Sequence, residues 1–495
     1  MISEKNLHLN TSQNFNGTTQ SAPSLKISKT ISFFLWFLFM SNLAYLLYFY
    51  PYLPQWHLGT LFKINGFTVL IWTTVSFFGA LISSYAKTYL IGFQYYNRFM
   101  MLCLGFILSV MLFIMANHVA ILLISWLAMG LFMARLIGID SKWGEAREAS
   151  KFALRYFLTG SLFLSIGVLL LAFESENFTV SGITLSVAAL PNTILLIAAL
   201  CIIIAALVQS AIYPFHRWLL SAMTSPTPAS ALMHAGFVNG SGILLALFST
   251  VLFASNTLNI LLIIGGLTAI IAQFTKLLQV NVKQKLACST IAQMGFMIMQ
   301  CGLGFFNAAV VHLILHGFYK AYLFLSSGEE VARSQPQKPL QIKIKPAQAV
   351  LVLFFGILGA FLFAFLTGKG TALNSGIFLT GIVAITVGQI TYNIVKQQSL
   401  SVLQKLLLPP VLFLMGIGVY AFLYNAITVI MGDMLMIDVA VPLSAIQILF
   451  GAVFLIGFFI MKLGFYRKLP WLYMYLLKRS QPNKKSILMY KSTSL

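Results

Sequence analysis

The sequence predicts an all-α, polytopic membrane protein, and three observations carry that expectation. Of its 495 residues, 59% are hydrophobic and only 8% are charged, where a soluble domain carries roughly 25% charged residues. Mean hydropathy is +0.90. Apolar runs near the roughly 20 residues a helix needs to cross a bilayer follow one another from residue 32 to residue 461.

The first four runs, 32–50, 66–84, 98–116 and 118–137, are separated by short polar turns. Runs 152–173, 190–212, 229–253 and 257–279 follow, then 286–302 and 308–328. The last four are 347–366, 372–395, 408–431 and 440–461, so about fourteen spans are expected. The charges agree with this number. One set of alternate loops holds Lys87 and Arg98, Lys142, Arg147 and Lys151, Arg217, Lys283 and Lys285, Arg333 to Lys345, and Lys396 and Lys405. The other set holds Glu174 and Glu176, Asp433 and Asp438, with Lys63 and Lys369 as lone basic exceptions. Cytoplasmic loops collect Lys and Arg, so both termini are expected in the cytoplasm. Residues 1–31 read as a polar cytoplasmic tail rather than a signal peptide. Residues 32–465 form the membrane domain, with a motif-bearing core over 65–330, and 466–495 read as a basic cytoplasmic tail.

The formal net charge of +21 would suggest nucleic acid in a soluble protein. Here the basic residues sit in short loops and at the ends, so no nucleic acid is expected; the bulk surface faces membrane lipid. Cys103, Cys201, Cys288 and Cys301 lie in or beside apolar runs without CxxC pairing, the pattern of buried small hydrophobes. No phosphate-binding loop, dinucleotide fingerprint or GxSxG motif is present, which removes ATP use and covalent catalysis from consideration. The chain therefore reads as a transport subunit, not an enzyme, with no cofactor or metal of its own.

The chemistry concentrates in HLILHGFYKAYLFL, where His312, His316 and Lys320 are spaced four residues apart. That spacing lines one helix face. Ionisable groups are costly in hydrocarbon and by default mark an ion or proton path. His titrates near neutrality, and a lysine can give up its proton when buried. A metal pair is the rival reading of HxxxH, but no HExxH glutamate or clear third ligand accompanies it. Polar groups that merely pin helices together are the other alternative. The stretch YPFHRWLLSAMTSPTP, residues 213–228, contains Pro214, Pro226 and Pro228, which interrupt a helix. It is expected to leave the membrane as a short amphipathic piece and re-enter at Ala229, in the manner of the discontinuous helices of transporters. His234 follows among small residues, as a relay or a packing histidine. Lys276 is the candidate for a mobile charge; Lys283 and Lys285 read as snorkelling anchors. Gln209 and His216 flank the break as supporting polar groups. Glu329 and Glu330 end the ladder helix as a proton exit, a docking surface or a solvated end.

Taken together, SSYAKTYLIGFQYYNRF, SWLAMGLFMARLIG, YPFHRWLLSAMTSPTPASALMHA, VKQKLACSTIAQMGFM and HLILHGFYKAYLFLSSG resemble the antiporter-like subunits of respiratory complex I and of multi-subunit sodium/proton antiporters. The resemblance covers roughly residues 65–330, and its PTPxSALxHA and HxxxHxxxKAxLFLxSG patterns are specific. It implies an antiporter-like fold with a discontinuous helix. It also implies a proton path through His234, Lys276, His312, His316 and Lys320.

Two departures narrow the resemblance. The family places a glutamate directly after the tryptophan of a WEGVG motif and a lysine before the broken helix; here Leu127 follows Trp126, and Gln209 stands at the second position. Arg135 is one group that could replace the pair. Residues 466–495 also leave no room for the long lateral helix of the complex I member. A chain with the ladder but without the pair is most similar to the membrane subunit of DAB-type inorganic carbon pumps. That resemblance implies a large peripheral partner like a β-carbonic anhydrase on the cytoplasmic face. The partner carries the zinc, and a cation gradient drives hydration of carbon dioxide to bicarbonate. A subunit of a redox-linked proton pump or sodium/proton antiporter, and a non-conducting scaffold for a peripheral enzyme, are the alternatives.

Overall fold

A computed structural model describes residues 22–327, 346–397, 399–463 and 469–487. Its helices are, in order, α1 Ala22–Phe49, α2 Gly66–Tyr89, α3 Tyr96–Met115, α4 Val119–Ile137, α5 Gly144–Glu174, α6 Val180–Ser186 and α7 Asn192–Gln209. A broken passage follows, made of α8 Arg217–Ser221, α9 Thr227–Leu232, a π-helical turn Met233–Phe237, α10 Gly240–Leu247 and α11 Ser249–Ala254. Then come α12 Leu258–Leu277, α13 Val282–Gly302, α14 Phe306–Leu325, α15 Pro346–Thr367, α16 Gly376–Val395, α17 Val402–Ile430, α18 Ala445–Leu463 and α19 Pro470–Arg479. Among the described residues, the one sheet is a hairpin, β1 Trp56–Leu58 with β2 Phe62–Ile64.

Twelve described helices are long and apolar enough to cross a membrane, against the fourteen spans expected. The remaining two segments are helical. The polar residues of α13, Lys283 to Lys285, Ser289, Thr290, Gln293 and Gln300, keep it outside the twelve. In α18 the shorter apolar stretch Ala445–Gly457 does so. Both nevertheless lie along α12. A Cβ on Gly295 of α13 would come within 2.7 Å of the Ala269 nitrogen and the Gly265 oxygen of α12, so only glycine permits that approach. In α18, Gly457 lies beside Ile270 of α12, while Gly451 faces Phe378 of α16.

Contacts between connecting segments separate two ends of the molecule. At one end Lys63 lies 4.0 Å from Asp433, and Lys369 lies 2.6 Å from Asp438. Backbone bridges Phe62–Ala116, His118–Thr179, Phe305–Asp438 and Asn374–Pro442 join the same set of loops. The two basic exceptions of the sequence are thus the partners of the two aspartates. At the other end, Lys283 meets Ser225, Gln284 meets Leu220, and Asn483 meets Ser221.

Three expectations need correction. The amphipathic piece expected within residues 213–228 is packed into the protein rather than lying free on its surface. Trp218, Leu219, Leu220, Ser221 and Ala222 are buried. Trp218 packs edge to face on Phe157 of α5 and on Phe237 of the π turn at 4.8 and 5.7 Å, and the two phenylalanine rings lie tilted at 4.6 Å. The large apolar rings hold the break inside the protein. The polar N-terminal tail ends earlier than residue 31, because α1 is helical from Ala22. Finally, part of the 466–495 tail is a docked helix: Leu476 of α19 packs with Phe274 of α12.

Candidate functional site

The ladder forms as its spacing predicts. His312, His316 and Lys320 all lie on α14, and the rings of His312 and His316 are 6.2 Å apart with an interplanar angle of 18°. Four residues of helix rise roughly 6 Å, so the rungs are separated by one turn. His316 and Lys320 are buried, Lys320 at 0% exposure, and His312 is half-buried. The Lys320 ammonium donates to the Leu286 carbonyl oxygen of α13 at 3.0 Å. Both ring nitrogens of His316 and Nε2 of His312 are buried without a hydrogen-bond partner.

His234 comes to the inner part of this ladder from the broken helix. It is 0% exposed, and its ring stacks on Phe324, 4.3 Å away at 17°. Phe324 is one turn beyond Lys320 on α14. Both His234 ring nitrogens are unpartnered. Lys320 is a charged neighbour of His234 and of His316, and Lys276 is a charged neighbour of Lys320. Lys276 is half-buried on the last turn of α12. The structure therefore brings together all five residues of the expected path.

Among the described residues no carboxylate pairs with them. The ion pairs among the described residues are Lys63–Asp433, Lys151–Glu148 and Lys369–Asp438, and none includes a ladder residue. Two positive charges one rung apart at 6.2 Å repel by about 3 kcal/mol at an effective dielectric of roughly 20. That is about a hundredfold bias against both rings being charged together.

The π turn explains several polar residues around it. An inserted residue breaks the regular backbone pairing and leaves carbonyl groups to be satisfied otherwise. Gln209 Nε2 donates to the Phe237 oxygen at 3.3 Å, and Ser210 Oγ donates to the Val238 oxygen at 2.6 Å. Ser210 and Ser241 are also joined through their hydroxyls. Asn239 Nδ2 donates both to the Ala235 oxygen at 2.8 Å and to the Leu313 oxygen at 3.1 Å. Asn239 thereby ties the break to the ladder helix beside His312. Sequence reasoning missed it; the signal was an asparagine in the small-residue run VNGSG. It also missed the Leu286 carbonyl, which no side-chain pattern reveals.

The remaining residues have other surroundings. Arg135, raised as a replacement for the missing pair, is exposed on the last turn of α4, away from any buried relay. Leu127 is half-buried. Lys283 is no free anchor, because its Nζ donates to the Ser225 oxygen at 2.9 Å and steadies the turn before α9. His216 is buried, with Nε2 2.8 Å from the Arg479 oxygen and its ring 3.7 Å from that of Tyr213. Burial lowers its pKa to about 4, with the Arg479 carbonyl opposing the shift. It fastens the end of α19 to the break. Glu329 and Glu330 lie outside the described residues. The four cysteines are buried and free. Among the described residues no group of three His, Cys, Asp or Glu side chains is placed to hold a metal.

Comparison with known proteins now places the fold. The family model for the transmembrane subunits of NADH:quinone oxidoreductases and Mrp antiporters matches residues 116–394. The chain belongs to this family. Within the family it is similar to DabB subunits. It is 34% identical over 333 residues to a probable inorganic carbon transporter subunit DabB of Bacillus anthracis, covering 66% of this chain and 63% of that protein. Against the corresponding Bacillus subtilis protein it is 34% identical over 282 residues, 57% of this chain and 55% of the relative. It is 32% identical over 286 residues to NADH-quinone oxidoreductase subunit L of Escherichia coli, 56% of this chain and 46% of that one. The chain thus spans less than two thirds of the length of these relatives. The resemblance to DabB subunits and their complex I and Mrp relatives is borne out. Among solved structures, the Mrp complex of Dietzia sp. DQ12-45-1b shares the fold. Its TM-score is 0.62 at 21% identity, covering 91% of this chain and 54% of that chain. The protein is a multi-pass, antiporter-like membrane subunit.

Proposed function

We propose that this chain is the ion-conducting membrane subunit of an energy-coupled inorganic carbon pump. A proton or sodium gradient drives carbon dioxide hydration and bicarbonate accumulation. A large peripheral β-carbonic-anhydrase-like partner carries out the hydration with its own zinc and docks on the cytoplasmic face. In this reading the chain crosses the bacterial inner membrane fourteen times, with both termini and the basic end cytoplasmic. It carries no cofactor.

One observation carries the ion-conducting part: five His and Lys side chains are close enough to act on one another electrostatically, and among the described residues none of them is in an ion pair with a carboxylate. Such a cluster is costly in a membrane unless a charge moves through it. The carbon substrate is supported by the similarity to proteins named as probable inorganic carbon transporter subunits. The absence of the glutamate–lysine pair supports it too, since Gln209 is engaged with the π turn rather than acting as a charge carrier.

Purification from its native membrane in mild detergent tests the proposal. A copurifying large, zinc-containing protein is the expected result. Quinone-reducing or small antiporter subunits would replace the proposal with the redox-pump or antiporter reading, which the similarity to subunit L favours.

A further inference from the structure

A row of side chains ending in polar groups leaves the ladder on the side away from Lys320. The Phe296 ring of α13 packs on His312 with centroids 5.3 Å apart. Phe296 also lines a cavity of about 310 Å³ between α13, α16 and α17. Gln300, one turn further along α13, and Tyr420 of α17 line the same cavity. The Gln300 amide lies against the Tyr420 hydroxyl, and its Oε1 is buried without a partner. Tyr420 stacks on Tyr424 at 6.2 Å and 21°. The Tyr424 hydroxyl donates to Asp438 Oδ1 at 3.1 Å, and the Lys369 ammonium donates to the same oxygen at 2.6 Å. The Lys369 and Asp438 side chains are 15% and 24% exposed, so this end meets solvent. It is the end opposite the basic loops.

The composition of α17 sharpens the point. Between Val402 and Ile430 its one Lys, Arg, His, Asp or Glu is Lys405, at the far end. Its hydroxyl groups are Tyr420, Tyr424 and Thr428; Thr428 is engaged with Asn307 and the Tyr424 backbone oxygen, which leaves the two tyrosines to pass a proton between Asp438 and the ladder.

We propose that Asp438, Tyr424, Tyr420 and Gln300 form the outer arm of the ion path and that the ion it carries is a proton. This deepens the reading of the ladder as an ion path and rests on it. The Asp438 carboxylate takes a proton from outside water, and Lys369 holds the carboxylate in place. Each tyrosine oxygen then accepts a proton on one side as its own proton leaves on the other, so neither ends charged. The last proton reaches the unpartnered Nε2 of His312 through water held by Gln300, Thr386 and Tyr420, the polar side chains of an otherwise apolar cavity lining. Gln300 orients this water and carries no charge itself. Phe296, between cavity and His312, is an apolar constriction that conducts when wetted. A sodium ion would need a ring of oxygens in place of its hydration shell, which two hydroxyls and an amide do not supply.

The test uses the native complex, purified whole and reconstituted into liposomes with trapped pyranine, beside a parallel measurement of radioactive sodium entry. Asp438→Asn still accepts from Lys369 and Tyr424 but no longer titrates, and Tyr420→Phe keeps the ring and loses the hydroxyl. Each is expected to lower proton entry at least tenfold at normal yield and unchanged melting, while Asp438→Glu retains more than half. Lys369→Cys gives an independent readout, because the native cysteines are buried. A membrane-impermeant cationic thiol reagent added outside restores conduction by this variant, and an anionic one does not. Wild-type conduction by Asp438→Asn and Tyr420→Phe, with Lys320→Ala inactive, overturns the outer arm alone. Conduction by Lys320→Ala as well overturns the ladder and the arm with it. Entry of sodium in place of protons overturns the ion assignment. If Asp438→Asn fails to assemble, normal conduction by Tyr420→Phe overturns the arm and reduces Asp438 to a loop pin.

Discussion

Replacing Lys320 with methionine separates conduction from packing more cleanly than any other single change. Lys320 is 0% exposed and makes one hydrogen bond, 3.0 Å to the Leu286 oxygen. Losing a hydrogen bond from a charged donor costs about 1.5–3 kcal/mol. The Leu286 oxygen keeps a partner, because Thr290 Oγ1 donates to it at 3.2 Å. Against that loss stands the removal of a buried ammonium without a counter-charge, a burden of several kcal/mol whenever the group is protonated. Methionine is unbranched and fills nearly the same space. The two effects are of similar size and opposite sign, so melting of a detergent extract should stay level or rise. Uncoupler-sensitive accumulation of carbon-13 bicarbonate should fall at least a hundredfold. Lys320→Arg should fail equally, since arginine stays charged and cannot release its proton. A Lys320→Met protein that melts well below wild type, yet accumulates bicarbonate in proportion to the folded amount, would refute the reasoning and make Lys320 a structural residue.

Further outcomes follow from the geometry around the ladder. His316→Gln and His316→Ala should be equally inactive in assembled complexes; recovery of uncoupler-sensitive accumulation by the Gln variant would assign His316 to packing. Asn239→Ala leaves the Ala235 and Leu313 oxygens without their side-chain donor, at about 1–3 kcal/mol. Hydrogen exchange over α9, the π turn and α10 should therefore speed up while α18 is unaffected. His216, lowered to about pKa 4 chiefly by burial, binds its proton more weakly in the folded protein than in the unfolded chain. The fold around the break and the end of α19 is then most stable above pH 6.5 and weakens as pH falls towards 4, by up to about 3 kcal/mol. Exchange over residues 470–487 at pH 7.5 and pH 5 reads this, and His216→Gln should flatten the dependence.

The ladder and the division of the loops into two sets were legible because both depend on short-range pattern. A spacing of four residues places His312, His316 and Lys320 on one face of any helix, whatever surrounds it. Basic and acidic residues in alternate loops likewise sorted the loops into two sets. The pairing of Lys63 with Asp433 and of Lys369 with Asp438 follows that sorting. Fourteen apolar runs correspond to helices, although twelve meet the length and apolarity of a span.

The break itself was legible only as prolines. Pro226 and Pro228 mark where α9 begins, but the π turn falls after it, at Met233–Phe237. Its position depends on who satisfies the freed carbonyls, and those donors, Gln209, Ser210 and Asn239, act across the fold. The same holds for burial of residues 213–228, where rings on α5 and the π turn cover Trp218. Helix period and loop charge are properties of neighbouring residues, and the sequence alone determined them. Hydrogen-bond partners and covered surfaces belong to segments far apart in the chain, and only tertiary packing decided those. Packing placed His234 against Phe324, seated Lys320 on a backbone carbonyl, and turned Gln209 into a brace of the broken helix.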